Sequence, residues 1–407
     1  MTGAAAPARA PGVAVVRFLR GTAAAPQATA SLYALTATAL VAREIDVVGF
    51  GRFAVVQVVL MFVVGVQRAG LLVPMMVRPG AGERPPQAEV RTRVLGSALA
   101  GAVTTAGAGL VIGGGARDVC LALALAAVPV LYWDAVRAYL QATRRYPVLT
   151  RGELTCLVTG VAWFAVVPLL THELLPVAAG LAVAPAVAAL TVLPPWSSRW
   201  RPGPDRRGSR AGRHLLLDYL VYTGLDQVVL VAAGVFLTVV ATGALRLGQT
   251  ALGPVTVLLL ACETTAVARL RDLGGDRSRR VRAAAPVFVG VAIAALACGA
   301  ALALLPATWG TALLGPTWAA AGGVVAALAV RQAVSALTTV PTLALLTSGA
   351  TATILRCRVL TAPLVAGGSL LALAGGDVVT FAWTFACLHL LASCALWAAA
   401  LRPEETR

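Results

Sequence analysis

The sequence predicts an all-α integral membrane protein with about 12 transmembrane helices in two six-helix lobes. Of the 407 residues, 59% are hydrophobic and 12% are charged, whereas soluble domains are about 45–50% apolar and about 25% charged. A water-soluble fold of this length could not cover so much apolar surface. The apolar residues also form segments of about 20 residues, the length that a helix needs to cross a bilayer.

Twelve segments are predicted to span the membrane, and the first is the weakest because threonine and serine dilute it. The stretch between the seventh and eighth spans, "FLTVVATGALRLGQ", is ambiguous. Further spans, rather than a small-residue cleavage site, follow the first segment, so no cleavable signal peptide is expected. The predicted spans are 24–42, 53–77, 94–116, 119–140, 153–171, 176–194, 215–235, 247–268, 283–305, 319–347, 351–374 and 377–401.

The basic residues are distributed unequally between the two predicted sides of the membrane. All 33 are arginine, and with the N-terminus inside most of them lie in cytoplasmic segments. Only Arg43, Arg52, Arg117 and Arg246 fall on the opposite side. The positive-inside rule therefore predicts a multi-pass protein of the bacterial cytoplasmic (inner) membrane with both termini cytoplasmic. The net charge of +16 is explained by contact with anionic membrane lipids, and nucleic acid is not an expected partner.

A polar stretch, "PPWSSRWRPGPDRRGSRAGRH", follows the sixth span and has the composition of a linker. It divides the chain into two halves of six spans each. The predicted units are an N-terminal lobe (1–194), a cytoplasmic linker (195–214), a C-terminal lobe (215–401) and a cytoplasmic tail (402–407).

The two halves contain a weak internal repeat. The segment "VVGFGRFAVVQVVLMFVVGVQRAGLL" from residue 47 aligns without gaps with "ATGALRLGQTALGPVTVLLLACETTAVA" from residue 241. Gly49 then matches Gly243, and Arg52 matches Arg246, both expected just outside the membrane. Because both halves run in the same direction, this is a parallel repeat about an axis along the membrane normal. Such repeats are used in transporters with a central site between the halves.

The pattern "REIDVVGFGRFAVVQVVLMF" resembles bacterial polysaccharide flippases, which belong to the multidrug/oligosaccharidyl-lipid/polysaccharide (MOP) exporter superfamily. Two further segments are similar to that superfamily, one to a span with a basic cytoplasmic loop and one to its tenth span. These segments are "LRLGQTALGPVTVLLLACETTAVARLRDLGG" and "LLGPTWAAAGGVVAALAVRQAVSALTTVPTLALLTSG". The resemblance covers most of the chain and implies a MATE/MOP-like fold, in which two lobes form a V around a central cavity.

The resemblance also implies a function. It predicts a flippase that moves a lipid-linked oligosaccharide or polysaccharide precursor across the inner membrane by alternating access, with glycan biosynthesis enzymes as partners. Such lipids carry anionic phosphate, which suits a cationic cavity, whereas the related drug exporters use acidic residues for cationic drugs and coupling ions. The chain lacks the extra pair of spans found in lipid II flippases, which counts against a role in peptidoglycan synthesis.

Charged residues inside the predicted spans are candidates for the site, because a charge at mid-bilayer costs at least about 2.5 kcal/mol and needs a partner. The guanidinium group offers a planar set of donors that suits phosphate. The alternative is that each arginine is neutralised by a carboxylate or snorkels to the interface; Asp134 and Arg137, three residues apart, are expected to pair in this way. The candidate substrate-binding residues are Arg68, Arg331, Gln67, Gln332 and Arg137.

Three acidic residues are candidates for binding a coupling ion, either a proton or sodium: Asp226, Asp218 and Glu263. Asp226 lies deepest, and its alternative role is to pair with Arg331. Asp218 is expected to be solvated at the cytoplasmic surface. Glu263 is expected to reach the basic loop at Arg269 and Arg271, which would make it structural.

No catalytic constellation is evident, so the protein is not expected to be an enzyme and no cofactor is expected. The seven cysteines and three histidines are scattered, without the spacing of a metal site. Membrane ligases of glycans carry a large outer loop, and the longest predicted outer connection here is short. Two alternatives to the flippase remain, a MATE-like exporter of drugs or metabolites and a non-transporting membrane scaffold.

Overall fold

A computed structural model describes residues 24–72, 87–112, 114–143, 145–192, 216–272 and 277–402. Its secondary structure in these residues is helical, without strands. We number the helices in chain order. They are α1 (Ala24–Glu44), α2 (Val47–Leu72), α3 (Gln87–Ile112), α4 (Gly114–Ala142), α5 (Tyr146–Leu170), α6 (Leu174–Val192), α7 (Leu216–Phe236), α8 (Val239–Ala251), α9 (Gly253–Asp272), α10 (Arg277–Ala303), α11 (Ala307–Leu314), α12 (Trp318–Thr347), α13 (Thr351–Ala374) and α14 (Val378–Leu401).

Every predicted span coincides with a helix or a pair of helices, which confirms the all-α membrane fold. Among the described residues, nine helices are long and apolar enough to cross a membrane, or ten if α8 and α9 form one bent span. The helices α1 and α3, at the first and third predicted spans, are not among these. In α3 the apolar part is only Val94–Gly107, and α1 contains several polar residues.

The eighth span differs from its predicted form. Thr238 accepts a hydrogen bond from the Ala241 amide and caps α8, so the ambiguous stretch is a short turn followed directly by helix. The axes of α8 and α9 differ by 55°. The bend falls just before Pro254, whose ring removes a backbone donor and disfavours a continuous helix. Arg246 had been predicted to lie just outside the membrane in a connection between spans, and in the structure it lies inside the helix α8.

The two halves use the same packing scheme, which confirms the parallel pseudo-two-fold repeat. In the first half α3 packs on α4, α5 on α6, and α4 on both α2 and α6. In the second half α10 packs on α12, α13 on α14, and α12 on both α14 and the α8–α9 pair. The proposed linker lies outside the described residues, so the domain boundaries stay a prediction.

The structure also corrects the register of the repeat. Asp46 caps α2 by accepting from the Gly49 amide, and Thr238 caps α8 in the same way. When these helix starts are equated, Gly51 becomes the counterpart of Gly243. The gapless sequence alignment, which matched Gly49 with Gly243, is two residues out of register because composition alone does not locate the caps.

A third cap lies at the start of α14, outside the membrane-spanning segment. The Thr380 hydroxyl and the Val379 and Thr380 amides donate to the Asp377 carboxylate. These hydrogen bonds stabilise the ionised carboxylate and lower the pKa of Asp377 below its usual value. The predicted outer ends of α2, α8 and α14 are therefore each closed by a short polar side chain.

The lobes are joined at this end by a close crossing of α2 and α8. A Cβ atom at Gly51 would overlap the Val239 carbonyl, and one at Gly243 would lie 3.2 Å from the Gly51 Cα. Around the crossing, residues of both lobes share one buried apolar core, which includes Phe53 on α2 and Leu247 on α8. The predicted outer side is therefore closed by packed side chains.

Changing Gly51 to alanine is expected to destabilise the protein by about 1–3 kcal/mol, the usual range for overpacking. The added methyl group would push α2 away from the α8 backbone. Gly290 on α10 is a matched control, because nothing lies within 4 Å of a Cβ built there. Thermal unfolding in detergent should show a loss for Gly51→Ala and none for Gly290→Ala. Equal melting of the two variants would contradict the close crossing.

The lobes also touch toward the opposite end, where α7 meets α2. The Tyr219 hydroxyl donates to the Phe62 carbonyl oxygen at 3.2 Å. Its ring fills the space where a side chain at Gly65 would lie. Directly after Tyr219, α7 contains a π-helical turn, Leu220–Gly224, and α2 ends in another, Arg68–Leu72. Such turns occur frequently at functional sites.

Candidate functional site

Arg68 lies in the π-helical turn of α2 and pairs with Asp134 on α4. Both Nε and Nη2 of Arg68 donate to the Asp134 carboxylate. The Asp134 side chain is only 4% exposed, whereas the Arg68 side chain is 47% exposed. The predicted alternative role of Arg68, neutralisation by a carboxylate, is therefore present, and its substrate-binding role stays a prediction.

Arg137 had been predicted to pair with Asp134 on its own helix, but its partner lies on α5. Its Nε lies 2.6 Å from Oε1 of Glu153 on α5, and the Glu153 side chain is 2% exposed. The predicted pair of Asp134 with Arg137 is wrong, because α4 lies between α2 and α5 and each residue meets its partner across a helix interface. Arg68, Asp134, Arg137 and Glu153 form what we call the N-lobe cluster, which has no net formal charge.

Gln67 is buried and turned toward α4. Its Nε2 donates to the Leu131 carbonyl oxygen at 2.9 Å, and the residue is 8% exposed. This contact fixes the end of α2 against α4 beside Arg68. Gln67 is thus positioned to support the Arg68–Asp134 pair.

A second group of charged residues, which we call the C-lobe cluster, consists of Asp226, Arg331 and His389. One Asp226 oxygen, Oδ2, accepts from Arg331 Nη1 at 3.2 Å, and the other, Oδ1, lies 2.9 Å from His389 Nε2. The pairing of Asp226 with Arg331 had been predicted as the alternative role of Asp226, and it is present. The Arg331 guanidinium also lies over the Phe385 ring, 5.1 Å from its centroid. Its side chain is 16% exposed.

Asp218 had been predicted to be solvated, but in the structure it forms an ion pair. Its Oδ2 lies 2.5 Å from Nη1 of Arg358 on α13. The Arg358 guanidinium also lies over the Tyr222 ring, 4.3 Å from its centroid. Spacing along one helix could not predict this contact, because Arg358 lies in the second turn of α13 and reaches α7 through the packing of the two helices.

Gln332 and Glu263 connect α12 to α9. Gln332 Nε2 donates to Thr256 Oγ1 at 3.3 Å, and Thr339 Oγ1 donates to Glu263 Oε1 at 3.0 Å. The Gln332 and Glu263 side chains are partly exposed. The predicted contact of Glu263 with Arg269 and Arg271 involves side chains outside the described set.

Arg246 is the functional candidate that sequence reasoning missed. Its Nε donates to Gln57 Oε1 on α2 at 3.1 Å, and Gln57 Nε2 in turn donates to Thr38 Oγ1 on α1. Within the described part of the chain, no carboxylate pairs with Arg246 and its terminal amino groups have no protein partner. The sequence signal that could have indicated a buried Arg246 was the pair of apolar residues on either side of it. Leu245 and Leu247 are both buried in the structure.

The geometry places Arg246 deep between the lobes. It is seven residues from the start of α8, or about 10 Å along the axis, and Gln57 is about 15 Å from the start of α2. The hydrocarbon core is about 30 Å thick, so both residues would lie near mid-depth if α2 and α8 begin at its outer edge. The side chain is partly buried, and an isolated charge at such a position is costly.

The α2–α7 contact lies near both clusters. Tyr219 interacts electrostatically with Arg68 of the N-lobe cluster and with Asp226 of the C-lobe cluster. In the parts of the chain that the structure describes, no group of three His, Cys, Asp or Glu side chains could hold a metal ion. The arrangement is therefore that of paired charges flanking an interface between lobes, with one unpaired guanidinium farther toward the predicted outer side.

No family model matches the sequence, and no curated protein is significantly similar to it. Solved structures of transporters do match. The lipid II flippase MurJ in an inward closed conformation gives a TM-score of 0.69 at 8% identity over 91% of this chain and 85% of that chain. An inward-facing multidrug resistance MATE family transporter of the MOP superfamily gives 0.64 at 11% identity, over 91% of this chain and 93% of that chain.

A third structure is a MOP superfamily transporter from Pyrococcus furiosus, described as having a binding pocket of reverse polarity. It gives a TM-score of 0.64 at 11% identity, over 97% of this chain and 98% of that chain. Identities this low establish the fold alone. The chain is a multi-pass membrane protein with the fold of the MOP superfamily transporters, a fold shared by the lipid II flippase and the MATE exporters.

Proposed function

We propose that the protein is a flippase that moves a lipid-linked oligosaccharide or polysaccharide precursor across the bacterial inner membrane by alternating access. The MOP fold supports a transporter, because the similar solved structures are transporters. The packed crossing of α2 and α8 fits a state closed toward the predicted outer side. The nature of the cargo is argued from the charges between the lobes.

The observation that carries the proposal is the unpaired guanidinium of Arg246. In the N-lobe cluster each arginine has its own carboxylate, and in the C-lobe cluster Arg331 is neutralised by Asp226. Among the residues that the structure describes, the hydrogen-bond partner of the Arg246 side chain is the neutral amide of Gln57. A desolvated cation is stabilised when an anion binds, and a guanidinium binds phosphate through paired hydrogen bonds. A cargo with a phosphate or pyrophosphate head supplies that anion.

Arg68 provides a second cation on the same path. Gln57, which holds Arg246, and Arg68 are eleven residues apart on α2, so they lie on nearly the same face, about 16 Å apart along the axis. Arg68 uses Nε and Nη2 for Asp134, and its side chain is 47% exposed, so among the described residues its Nη1 has no partner to compete with an anion. A phosphate group could thus pass from Arg68 near one end of α2 to Arg246 deeper between the lobes. Arg331, by contrast, is assigned to the C-lobe cluster rather than to the cargo.

The proposal is tested by reconstitution. Proteoliposomes containing a polyprenyl-pyrophosphate-linked oligosaccharide should expose the sugar to a membrane-impermeant lectin faster with the protein than without it. Uptake of a cationic dye, with no movement of the glycan lipid, would support the drug-exporter alternative instead. Movement of neither compound would favour the non-transporting scaffold. Deletion of the gene should correspondingly change the surface glycan and leave drug sensitivity unchanged.

A further inference from the structure

His389 is a buried histidine whose two ring nitrogens are both engaged. The side chain is 3% exposed. Its Nδ1 lies 2.8 Å from the Phe385 carbonyl oxygen. A carbonyl oxygen can only accept a hydrogen bond, so Nδ1 must carry a proton in this arrangement. A neutral imidazole has one N–H, and it is therefore used on the Phe385 side.

The contact between His389 and Asp226 then requires a further proton. Nε2 of His389 lies 2.9 Å from Oδ1 of Asp226. If the imidazole were neutral and Asp226 ionised, two lone pairs would face each other at that distance. A proton on either Nε2 or Oδ1 turns the contact into a hydrogen bond, so this geometry favours a pair that holds one proton.

Both carboxylate oxygens of Asp226 already have a cation or a donor of the protein beside them, which favours a proton over a sodium ion at this site. Arg331 on α12 occupies Oδ2 and His389 on α14 occupies Oδ1. On α7 the Tyr222 ring lies 6.2 Å from the His389 ring. The nearby ion pair of Asp218 with Arg358 on α13 is neutral overall, with Arg358 covering the other side of Tyr222. The carboxylate is thus satisfied by cations and donors that belong to the protein.

We propose that the coupling ion of this transporter is a proton, bound between His389 and Asp226, an inference that rests on the proposed transport function. In the loaded state, the proton completes the Nε2–Oδ1 hydrogen bond and ties α14 to α7. On release, the proton passes to water, leaving a neutral His389 and an ionised Asp226 still paired with Arg331. The facing lone pairs then repel, and α14 separates from α7.

The structure provides a route from this site to the contact between lobes. Asp226 lies two residues after the π-helical turn Leu220–Gly224, and Tyr219 immediately precedes that turn. Tyr219 is the residue that binds the α2 backbone of the other lobe. A π-helical turn can be converted to regular α-helix by a shift of one residue in hydrogen bonding. Loss of the α14 link is therefore positioned to alter the α2–α7 contact.

The protonation state of His389 can be measured directly, because the chain contains only three histidines. The double variant His172→Gln/His214→Gln, purified without a histidine tag, leaves one imidazole for ¹⁵N NMR. Over the pH range in which the protein stays folded, we expect one protonation step at this ring. The product of that step should be a ring protonated on Nδ1 alone. Adding Asp226→Asn to this background should abolish the step, because an amide can donate to bare Nε2.

Two results would overturn the proposal. One is a ring protonated only on Nδ1 throughout that pH range, with no hydrogen bond at Nε2. The other is displacement of the His389–Asp226 proton by sodium chloride at constant pH, compared with an equal concentration of choline chloride. Neither measurement needs the cargo, so failure of the proton proposal is distinguishable from failure of the glycan-lipid proposal.

The link to the lobes is tested by hydrogen exchange in α7. After correction for intrinsic exchange, amides around Tyr219 should lose protection as pH rises through the His389 titration. His389→Gln keeps a donor for Asp226 without a titrating group, and its α7 protection should not depend on pH. The same pH dependence in His389→Gln as in the unaltered protein would contradict proton control of the contact.

Discussion

Replacing Arg246 with glutamine is expected to slow transport of a lipid-linked glycan by about 10- to 150-fold. Within the described residues the Arg246 guanidinium has no carboxylate partner, and a hydrogen bond to a charged group contributes about 1.5–3 kcal/mol. Glutamine keeps a donor for Gln57 and removes the charge, so the fold should be retained. The measurement is the initial rate of lectin accessibility in the proteoliposome assay.

The matched control for this experiment is Arg43→Gln. Arg43 is an exposed arginine at the end of α1, so its loss changes the net charge equally without affecting the site. Arg246→Lys, which keeps the charge but loses the planar pair of donors, should fall between the unaltered protein and Arg246→Gln. Equal rates for Arg246→Gln and Arg43→Gln would contradict a cargo phosphate bound at Arg246.

Replacing Asp226 with leucine is expected to destabilise the protein by about 3–5 kcal/mol. The change leaves Arg331 as a buried charge without its carboxylate, which is the costly way to break a buried ion pair. The double variant Asp226→Leu/Arg331→Leu removes both charges and should recover much of that loss. Thermal or denaturant unfolding of Asp226→Leu, Arg331→Leu and the double variant in detergent gives the coupling energy between the two residues.

Additive losses in that cycle would contradict the pair, because residues in contact are expected to couple. The cycle also separates stability from transport. The double variant should fold but no longer couple movement of the cargo to a pH gradient, since Asp226 is part of the proton site. Gradient-driven transport at the rate of the unaltered protein would contradict that role.

The helices could be predicted from the sequence because span length and hydropathy are properties of each segment alone. The predicted span 351–374 matches α13 at both ends, and 319–347 differs from α12 by one residue. The predicted start of the eighth span, residue 247, is too late because Arg246 and the neighbouring glycines resemble a loop, whereas α8 begins at Val239. There the helix is set by the Thr238 cap and by packing of α8 on α2, which involves residues distant in the sequence.

A contact within the site could be predicted from the sequence only where two charged residues lie at similar depths in their predicted spans. Asp226 and Arg331 were expected at similar depths, and they pair. Asp134 and Arg137 were expected to pair because they are close on one helix, yet each is neutralised by a residue of another helix. Which faces of neighbouring helices meet is determined by the packed bundle and cannot be derived from spacing along one helix.

His389 was overlooked for a related reason. A single histidine in an apolar helix has no motif, and its spacing from Asp226 in sequence carries no information. What gives it a role is the assembly of α7, α12 and α14 around one carboxylate. In this assembly Arg331, a predicted phosphate-binding residue, forms an ion pair with Asp226. Among the described residues, Arg246 has no such carboxylate partner.

The most direct test is native mass spectrometry of the purified protein with a polyprenyl pyrophosphate. If a phosphorylated lipid head binds the guanidinium between the lobes, the unaltered protein and Arg43→Gln should both retain the lipid. Arg246→Gln should lose most of it, whereas a polyprenol without phosphate should bind all three equally weakly. Retention of the pyrophosphate lipid by Arg246→Gln at the level of the unaltered protein would contradict this account.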